Sequence, residues 1–406
     1  MGRRAGLATS IARARSFYDY QPVPVPAGAT AVGVRLAHDT EAGVIDLGVF
    51  APDGTFRGYS GGARDRFVIT ASDATPGYLP GPLPAGDWQV LLGLHRVGPA
   101  GVRWELEWTR TAEVPAPPPP PARADRPPRR AIPAADGLQW LAGDLHAHTV
   151  HSDGTQTIDE LAHQARGQGL DFLAVTDHNT VSHHPHLPAA AERQGVTLLP
   201  GQEVTTDSGH ANCFGAIAWV DFRRPATHWT RHAHDHGGLL SVNHPIDGDC
   251  AWRKPLDGPA SHVEAWHGKW DRVDLEPLRW WDARGGVPIG GTDVHAPAQG
   301  HVPGHPTTWV ASTGDAPGAL LHGIRDGRTA ISAAPDGPVL VRADGALVAV
   351  DAVGTRLVPG RDLLAAGDAD RCRLGRAVTG ATAEMGDATG WHVLVEPGGT
   401  VVALSL

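Results

Sequence analysis

The chain has 406 residues, of which 41% are hydrophobic and 19% are charged, and its formal net charge is −10 at pH 7. This composition excludes an intrinsically disordered chain, and the length suits two or three domains of roughly 100–200 residues each. Acidic residues predominate, and Lys254 and Lys269 are the only lysines. The charge balance therefore argues against long nucleic acid as a partner, since that requires a basic surface.

Two features bear on location. The N-terminal residues MGRRAGLATSIARARSFYDY lack the apolar segment of a secretory signal, and no apolar run approaches the ~20 residues of a membrane helix. Cys213, Cys250 and Cys372 are odd in number and far apart, so they predict neither a disulfide framework nor a zinc knuckle. We expect a cytoplasmic protein without a membrane partner, and the sequence leaves its oligomeric state open.

Residues 1–114 are predicted to form an N-terminal antiparallel β-sandwich. Short strand-like segments such as AVGVRLAH, VIDLGVFA, WQVLLGLHRV and VRWELEWT are separated by turns that contain proline and glycine, for example APDG. This pattern is typical of two packed antiparallel sheets. The simplest role for such a domain is to stabilise or cover its neighbour.

Nine prolines occupy the nineteen positions 115–133, which read PAPPPPPARADRPPRRAIP. A segment of this composition cannot form a helix or a central strand, and it adopts an extended, semi-rigid conformation. We therefore expect a linker between two domains of different character.

Residues 134–335 alternate between apolar strands and amphipathic helices. Strand-like segments include LQWLAGDLHAH, DFLAVTDHN, VTLLPGQEV, ANCFGAIAW, GGLLSVNHP, VPIGGTDVH and TTWVAS. The clearest helix is TIDELAHQARGQGL, which begins with a capping box of Thr157 and Glu160. Seven or eight such units predict an α/β fold of parallel strands in a TIM-like barrel, and residues 336–406 predict a small C-terminal β region.

Histidines and acids follow most of these strands. In parallel α/β folds, functional side chains collect at the carboxyl ends of the strands, and His146 and His148 alternate so that both face one side. The nine candidate metal ligands are His146, His148, Asp153, His178, Glu203, His210, His244, Asp293 and His295. Imidazole and carboxylate ligands without thiolate favour zinc, manganese or iron. Because one catalytic ion uses three or four protein ligands, nine candidates predict two or three divalent ions.

Further residues near these motifs are predicted to support the site. His151, His183 and His267 are candidates for substrate contacts or for a general acid beside the metal ions. Asp144 and Ser152 are predicted to orient the metal ligands by hydrogen bonding to them without contacting the metal ions.

The ordered motifs resemble a known family. DLHAHTVHSDGT, AVTDHNT, PGQEVTT with HANCFG, SVNHP and GGTDVH are similar, in this order, to motifs of the PHP (polymerase and histidinol phosphatase) superfamily of metallohydrolases. HTVHSDG, TDHNT and HPTTWV are most similar to its CehA/McbA-like branch. The resemblance covers about residues 138–335, and it implies a distorted (β/α)7 barrel with a di- or trinuclear metal centre.

The resemblance also implies a division of the ligands. One ion would be held by His146, His148, Glu203 and Asp293. Glu203 would bridge to a second ion, shared with His210 and His244. A third ion would be held by Asp153, His178 and His295.

The sequence thus predicts a metal-dependent hydrolase that uses a metal-activated water. A metal centre of net positive charge favours a small anionic substrate, so a phosphomonoester or phosphodiester is the first expectation. The candidate phosphate contacts are Arg253, Lys254, Lys269 and Arg272. The alternative is a hydrolase of aryl esters, carbamates or amides, for which Trp266 and Trp270 would form an apolar wall. A further alternative is a non-catalytic metal-binding module.

Overall fold

A computed structural model describes residues 1–256, 260–387 and 389–406. By compactness the chain divides into two units. The first unit comprises Met1–Pro120, His148–Thr155 and Asp177–Pro185, and the second comprises Pro121–Ala147, Gln156–Thr176 and His186–Leu406. The two short segments from the middle of the chain thus belong to the same unit as the N-terminal residues.

The first unit contains two antiparallel sheets. Its strands are β1 (Gly2–Ala8), β2 (Tyr18–Val25), β3 (Ala31–His38), β4 (Gly43–Phe50), β5 (Phe56–Tyr59), β6 (Arg66–Thr70), β7 (Gly86–Val97) and β8 (Val102–Thr109), and its helix is α1 (Ser10–Arg15). One sheet has the order β1-β8-β3-β6 and the other β2-β7-β4-β5. Leu36 and Phe67 from the first sheet share a buried apolar cluster with Leu47 and Trp88 from the second. The alternation read from the sequence therefore does bury one face of each sheet.

The second unit is built on one large sheet. Its strands are β9 (Gln139–Asp144), β10 (Phe172–Val175), β11 (Thr197–Thr206), β12 (Gly209–Phe214), β13 (Leu239–Val242), β14 (His262–His267), β15 (Val287–Gly291), β16 (Thr307–Ser312), β17 (Thr329–Ser332), β18 (Val339–Ala343), β19 (Ala346–Val350), β20 (Arg356–Pro359), β21 (Arg376–Ala377), β22 (Thr382–Asp387), β23 (His392–Val395) and β24 (Val401–Ser405). Its helices are α2 (Ile158–Gly167), α3 (Leu187–Gln194), α4 (Ala226–Asp235), α5 (Glu276–Arg284), α6 (Pro317–Arg325) and α7 (Gly360–Ala365).

Parallel strands occur where the sequence predicts them, with helical crossovers α2 between β9 and β10, α3 between β10 and β11, and α5 between β14 and β15. β9, β10 and β11 pair in parallel, as do β13, β14 and β15. Helix α2 connects β9 to β10 and begins with the predicted capping box, in which Thr157 Oγ1 accepts from Glu160 N and the Glu160 carboxylate accepts from Thr157 N. The mixed α/β character is therefore confirmed.

Other pairings differ from the prediction of parallel strands. β12 is antiparallel to β11, because only two residues connect the two strands and no helical crossover fits in that length. β12 is also antiparallel to β13. β16 is antiparallel to β9. The hydrogen-bonded order β15-β14-β13-β12-β11-β10-β9-β16-β17-β24-β23-β20-β21 leaves β15 at one end. Among the residues described, β15 meets β16 through Thr308, whose hydroxyl accepts from Gly290 N and donates to Gly290 O. Closure of a barrel remains a prediction.

The C-terminal strands extend this unit. β20, β21, β23 and β24 continue the large sheet beyond β17, and β18, β19 and β22 form a further antiparallel sheet. Between β8 and β9 the chain has no helix or strand, as its prolines predict. Within the second unit, Arg126 of this proline-rich segment forms an ion pair with the buried Asp171. No described helix is long and apolar enough to cross a membrane.

Candidate metal centre

Five side chains of the second unit converge at the end of β9. His146 is fully buried, and its Nε2 atom lies 3.2 Å from Asp293 Oδ1 and 3.4 Å from Glu203 Oε1. The same Glu203 oxygen lies 3.2 Å from His210 Nδ1 and 3.3 Å from His244 Nε2. One carboxylate oxygen therefore faces three imidazole nitrogens.

These separations fit atoms that bind a common ion. Two ligand atoms that each lie about 2.1 Å from a metal, at an angle of roughly 90–110°, are about 3.0–3.4 Å apart. Ligand atoms within 4.8 Å of one another form three overlapping groups in this unit: His146 with Glu203 and Asp293, His146 with His244 and Glu264, and Glu203 with His210 and His244. Nitrogen and carboxylate donors without thiolate suit zinc, manganese or iron. The donor set thus fits divalent metal ions.

The hairpin between β11 and β12 explains how His210 reaches this point. Thr205 on β11 pairs with His210 on β12. His210 begins its strand, but because β12 runs antiparallel, that beginning lies at the carboxyl edge of β11, beside Glu203. His210 thus lies beside Glu203 without following a strand, and the antiparallel turn is the reason.

Asp144 fixes the position of His146 relative to the end of β15. Its buried carboxylate accepts hydrogen bonds from the backbone N–H groups of His146 at 3.0 Å, Thr292 at 3.0 Å and Gly304 at 2.9 Å. Burial raises the pKa of Asp144, and these hydrogen bonds oppose that rise. Thr292 immediately precedes Asp293, so Asp144 joins the two backbone segments that carry His146 and Asp293.

Three motif turns adopt a backbone conformation that L-residues rarely occupy. φ is 24° at His244 and 57° at Asp293 in the second unit, and 56° at Asn179, next to His178, in the first. Such conformations cost on the order of 1–3 kcal/mol and persist where the surrounding structure imposes them, which is common at functional sites. Their coincidence with NHP, TDV and TDHN supports a functional origin for these motifs.

The electrostatic field of the second-unit cluster is negative. Burial alone would lower the pKa of His146, but the carboxylates of Glu203, Asp293 and Glu264 raise it well above its ordinary value. Burial likewise lowers the pKa of His244, while the hydrogen bond and charge of Glu203 outweigh burial and raise it. A buried group of carboxylates that stabilises positive charge on its imidazoles is also suited to hold cations.

Glu264 is a site residue that the motif analysis missed. It is 2% exposed, its Oε1 atom lies 3.0 Å from His146 Nδ1, and its Oε2 atom accepts from His244 N at 2.8 Å. A carboxylate on the outer nitrogen of a metal-binding imidazole fixes the tautomer and orientation of the ring. The sequence carries a signal for it, since Glu264 is the single acid within the strand HVEAWH, and a buried charge requires a partner.

We expect Glu264→Gln to weaken metal affinity by about 10–100-fold, the usual effect of losing a group that orients a metal ligand. The amide retains one acceptor, so it cannot serve both His146 and the His244 N–H. The measurement is chelator competition for manganese or zinc. Glu276→Gln is the matched control, because Glu276 is exposed at the start of α5. Equal affinity in both variants would contradict an orienting role for Glu264.

The first unit contains its own group of candidate ligands. The ligand atoms of His148, Asp153 and His178 lie within 4.8 Å of one another. His178 Nε2 is 3.5 Å from Asp153 Oδ1, and the rings of His148 and His178 are stacked with centroids 4.3 Å apart. Two imidazoles and a carboxylate at these separations also fit a divalent ion.

Asp177 supports the turn that carries Asp153. Its buried carboxylate accepts from Thr149 N at 2.8 Å and from Ser152 Oγ at 2.7 Å. His183, which is fully buried, has its Nδ1 atom 3.3 Å from Asp177 Oδ2. Ser152 and His183 thus both contact the Asp177 carboxylate.

The other two candidates for substrate contacts lie in different units. His151 Nδ1 lies 2.8 Å from Ser182 Oγ in the first unit. In the second unit, His267 Nε2 lies 3.2 Å from Asp293 Oδ2. His295 is placed in the second unit, where its Nδ1 atom lies 2.8 Å from the carbonyl oxygen of Asp293.

Among the candidate phosphate contacts, Lys269 lies beside the second-unit cluster. Its Nζ atom is 3.9 Å from Asp293 Oδ2, and its side chain is 54% exposed. Arg253 instead donates to backbone carbonyls such as that of Asp207, and Lys254 lies 4.9 Å from the centre of the Trp229 ring. Of these three residues, Lys269 has the position best suited to an anionic group at the edge of the cluster.

Residues 144–246 match the family model of the PHP domain. A 5'-3' exoribonuclease of Haemophilus influenzae is 39% identical over 64 residues, which are 16% of this chain and 23% of that protein. A 3',5'-nucleoside bisphosphate phosphatase of Chromobacterium violaceum is 38% identical over 83 residues, 20% of this chain and 29% of that protein. The matched segments span about a quarter of the length of these curated relatives.

A solved structure also resembles the chain. It is a two-domain protein of Bacteroides vulgatus, described as containing a predicted PHP-like metal-dependent phosphoesterase, with 19% identity and a TM-score of 0.44. The alignment covers 70% of this chain and 100% of that one.

Proposed function

We propose that the chain is a metal-dependent hydrolase and that its substrate is a small phosphomonoester or phosphodiester. The observation that carries the proposal is the buried convergence of His146, His210 and His244 on one oxygen of Glu203, with Asp293 beside it. The match of residues 144–246 to the PHP domain, and the similarity of this segment to proteins named as an exoribonuclease and a nucleoside bisphosphate phosphatase, support the reaction class.

The proposal includes two or three divalent ions of zinc, manganese or iron. In the second unit the proposed ligands are His146, Glu203, His210, His244 and Asp293. Motif order supports the addition of His148 to the first ion and the assignment of Asp153, His178 and His295 to a further ion. When bound, such ions supply Lewis acidity and lower the pKa of a coordinated water.

The residues of the chain prepare this chemistry. Two carboxylates hold His146 in place: Asp144 accepts a hydrogen bond from its backbone N–H, and Glu264 lies at hydrogen-bond distance from its Nδ1 atom. His267 bonds Asp293, and from there it is the second-unit candidate for moving a proton to a leaving group. The Lys269 ammonium offers positive charge at the edge of the cluster, where it would attract a phosphoryl oxygen.

The position of Trp266 bears on the choice between phosphoesters and apolar esters. The alternative reading as an aryl ester, carbamate or amide hydrolase depends on Trp266 and Trp270 as an apolar wall. Trp266 is 2% exposed and packs edge-on against Trp270, with ring centroids 4.8 Å apart. This burial favours a role for Trp266 in the core instead of in a substrate pocket. The positive charge of Lys269 beside the cluster favours an anionic substrate.

Finer assignments form part of the same proposal. HTVHSDG, TDHNT and HPTTWV support the CehA/McbA-like branch of the PHP superfamily, and the contacts of Thr308 with Gly290 support a sheet that curls towards a barrel. Three widely spaced cysteines support a cytoplasmic location. The acidic charge supports a small-molecule substrate instead of long nucleic acid.

The test is turnover of matched aryl substrates by manganese- or zinc-loaded protein: nitrophenyl phosphate, bis-nitrophenyl phosphate, nitrophenyl acetate and a naphthyl carbamate. We expect phosphoester turnover by the wild type and by Asp235→Asn, a control at an exposed carboxylate on α4, and loss of turnover in Asp293→Asn. Acetate or carbamate turnover with inert phosphates would contradict the substrate class. Metal binding without any turnover would favour the non-catalytic module.

A further inference from the structure

The N-terminal sheets (β1–β8) contact the segments that carry part of the candidate metal centre. The segments His148–Thr155 and Asp177–Pro185, here called the ligand loops, group with Met1–Pro120 in the first unit. They carry the candidate ligands His148, Asp153 and His178. Neither ligand loop contains an α-helix or a β-strand, so their conformation depends on turn hydrogen bonds and on contacts with neighbouring residues.

Arg64, in the connection between β5 and β6, clamps the first ligand loop. Its Nη1 atom donates to the carbonyl oxygen of Ser152 at 2.8 Å, and its Nη2 atom donates to that of Val150. Burial lowers the pKa of Arg64, while Tyr78, Asp177 and Asp153 oppose this, so the guanidinium lies in the field of the ligand-loop acids. A planar fork of N–H donors is suited to holding two carbonyls of one turn at a fixed separation.

Gly77 forms hydrogen bonds with the second ligand loop and lies close to the first. Its N–H donates to Ser182 Oγ at 3.1 Å, and its carbonyl oxygen accepts from Thr180 Oγ1 at 2.9 Å. Gly77 has φ 99°, and a Cβ atom there would lie 2.9 Å from the carbonyl oxygen of His151 and 3.0 Å from that of Tyr59. Only glycine allows the N-terminal sheets to approach the loops this closely.

A third contact involves the turn that follows His178. The buried Tyr59 hydroxyl donates to Asp46 Oδ2 at 2.5 Å and also shares a hydrogen bond with the Asn179 side chain. Asn179 is one of the turn residues with positive φ. The N-terminal sheets therefore support the second ligand loop at the residue next to a candidate ligand.

We infer that the N-terminal sheets support metal binding by the first-unit group of candidate ligands. Arg64 and Gly77 are positioning residues that hold the ligand loops so that Asp153 and His178 face a metal ion. This rests on the proposed function, since it requires that these ligands bind metal. It goes beyond the sequence expectation of a domain that only stabilises or covers its neighbour. Ligands held in place before binding lose less conformational freedom when the ion arrives, and the affinity is correspondingly higher.

The experiment compares full-length Arg64→Ala, Arg64→Lys and Thr180→Val with the wild type. Arg66→Ala is the matched control, because Arg66 is exposed in the same region and pairs with Asp65. Manganese and zinc stoichiometry and affinity are measured by chelator competition. Amide hydrogen exchange of residues 149–153 and 179–182 is measured in metal-free protein, with exchange in β7 as the measure of folding.

We expect Arg64→Ala to lower the affinity of at least one bound ion by about 10–100-fold and to speed exchange in residues 149–153, with β7 still protected. Arg64→Lys should restore part of the affinity, since an ammonium can reach one carbonyl but lacks the fork that spans two. Thr180→Val, which keeps the side-chain volume, should speed exchange in residues 179–182. Arg66→Ala should match the wild type.

Wild-type affinity and wild-type loop exchange in Arg64→Ala and Thr180→Val would overturn the inference. If β7 exchanges faster in Arg64→Ala, that variant is unfolded and cannot test the inference. The inference is then tested by Thr180→Val alone, because its substitution lies in the second ligand loop. A wild-type chain that binds metal without hydrolysing phosphoesters contradicts the proposed function only, whereas one that binds neither manganese nor zinc overturns both.

Discussion

Replacement of Glu203 by glutamine is expected to reduce phosphoester turnover by at least about a thousandfold. The Glu203 Oε1 atom lies 3.2–3.4 Å from nitrogens of His146, His210 and His244. The substitution keeps the size of the side chain and removes its charge at the point where these imidazoles meet. A metal centre contributes several kcal/mol to transition-state stabilisation, and about 4 kcal/mol corresponds to a thousandfold in rate.

The measurement is kcat/KM on the best aryl phosphate from the substrate panel, together with the metal content of the purified variant. We expect Glu203→Gln to lose bound metal as well as turnover. Glu192→Gln on α3 makes the same chemical change at an exposed position and should behave as the wild type. A Glu203→Gln protein with wild-type metal content and rate would remove Glu203 from the metal centre.

Features that depend on local patterns were predictable from the sequence. The capping box of Thr157 and Glu160 specifies the start of α2, and the apolar strands with helices between them specify the parallel pairs around β10 and β14. The motif residues at strand ends gave His146, Glu203 and Asp293, which the structure brings within ligand distance of one another. Strand-end position is informative here because the fold itself gathers such residues.

Features that depend on long-range pairing were not predictable. The ANCFGAIAW segment reads as one more strand of the alternating series, and only the two-residue connection before β12 makes it antiparallel and brings His210 beside Glu203. Glu264 follows no motif, and its role appears only once β14 lies against the end of β9. The hydrogen bonds of Arg64 and Gly77 with the ligand loops span 86–105 positions, a separation at which no sequence pattern specifies a partner.

Removal of bound metal is expected to abolish turnover and to lower the Tm by about 5–15 °C. An ion that binds only the folded state stabilises it by about 2.7 kcal/mol at 100 times its Kd and by about 4.1 kcal/mol at 1,000 times. For domains of roughly 150–250 residues, each kcal/mol shifts the Tm by about 2–4 °C. The buried carboxylates of Glu203, Glu264 and Asp293 are one source of this binding free energy, because a divalent ion offsets their mutual repulsion.

The Tm is measured by calorimetry before and after treatment with a chelator, and again after manganese or zinc is returned, with turnover followed in the same samples. Asp293→Asn should show a smaller rise on metal addition than the wild type, whereas Asp235→Asn should show the full rise. Unchanged turnover and Tm after complete metal removal would rule out a metal-dependent enzyme.

Because Glu203 lies on β11 and Asp293 follows β15, with three strands between them in the sheet order, an ion bound by both residues would connect strands that are not neighbours. The metal-dependent rise should therefore appear in a single cooperative transition of the second unit, and a separate small transition would instead indicate ions bound to a local turn.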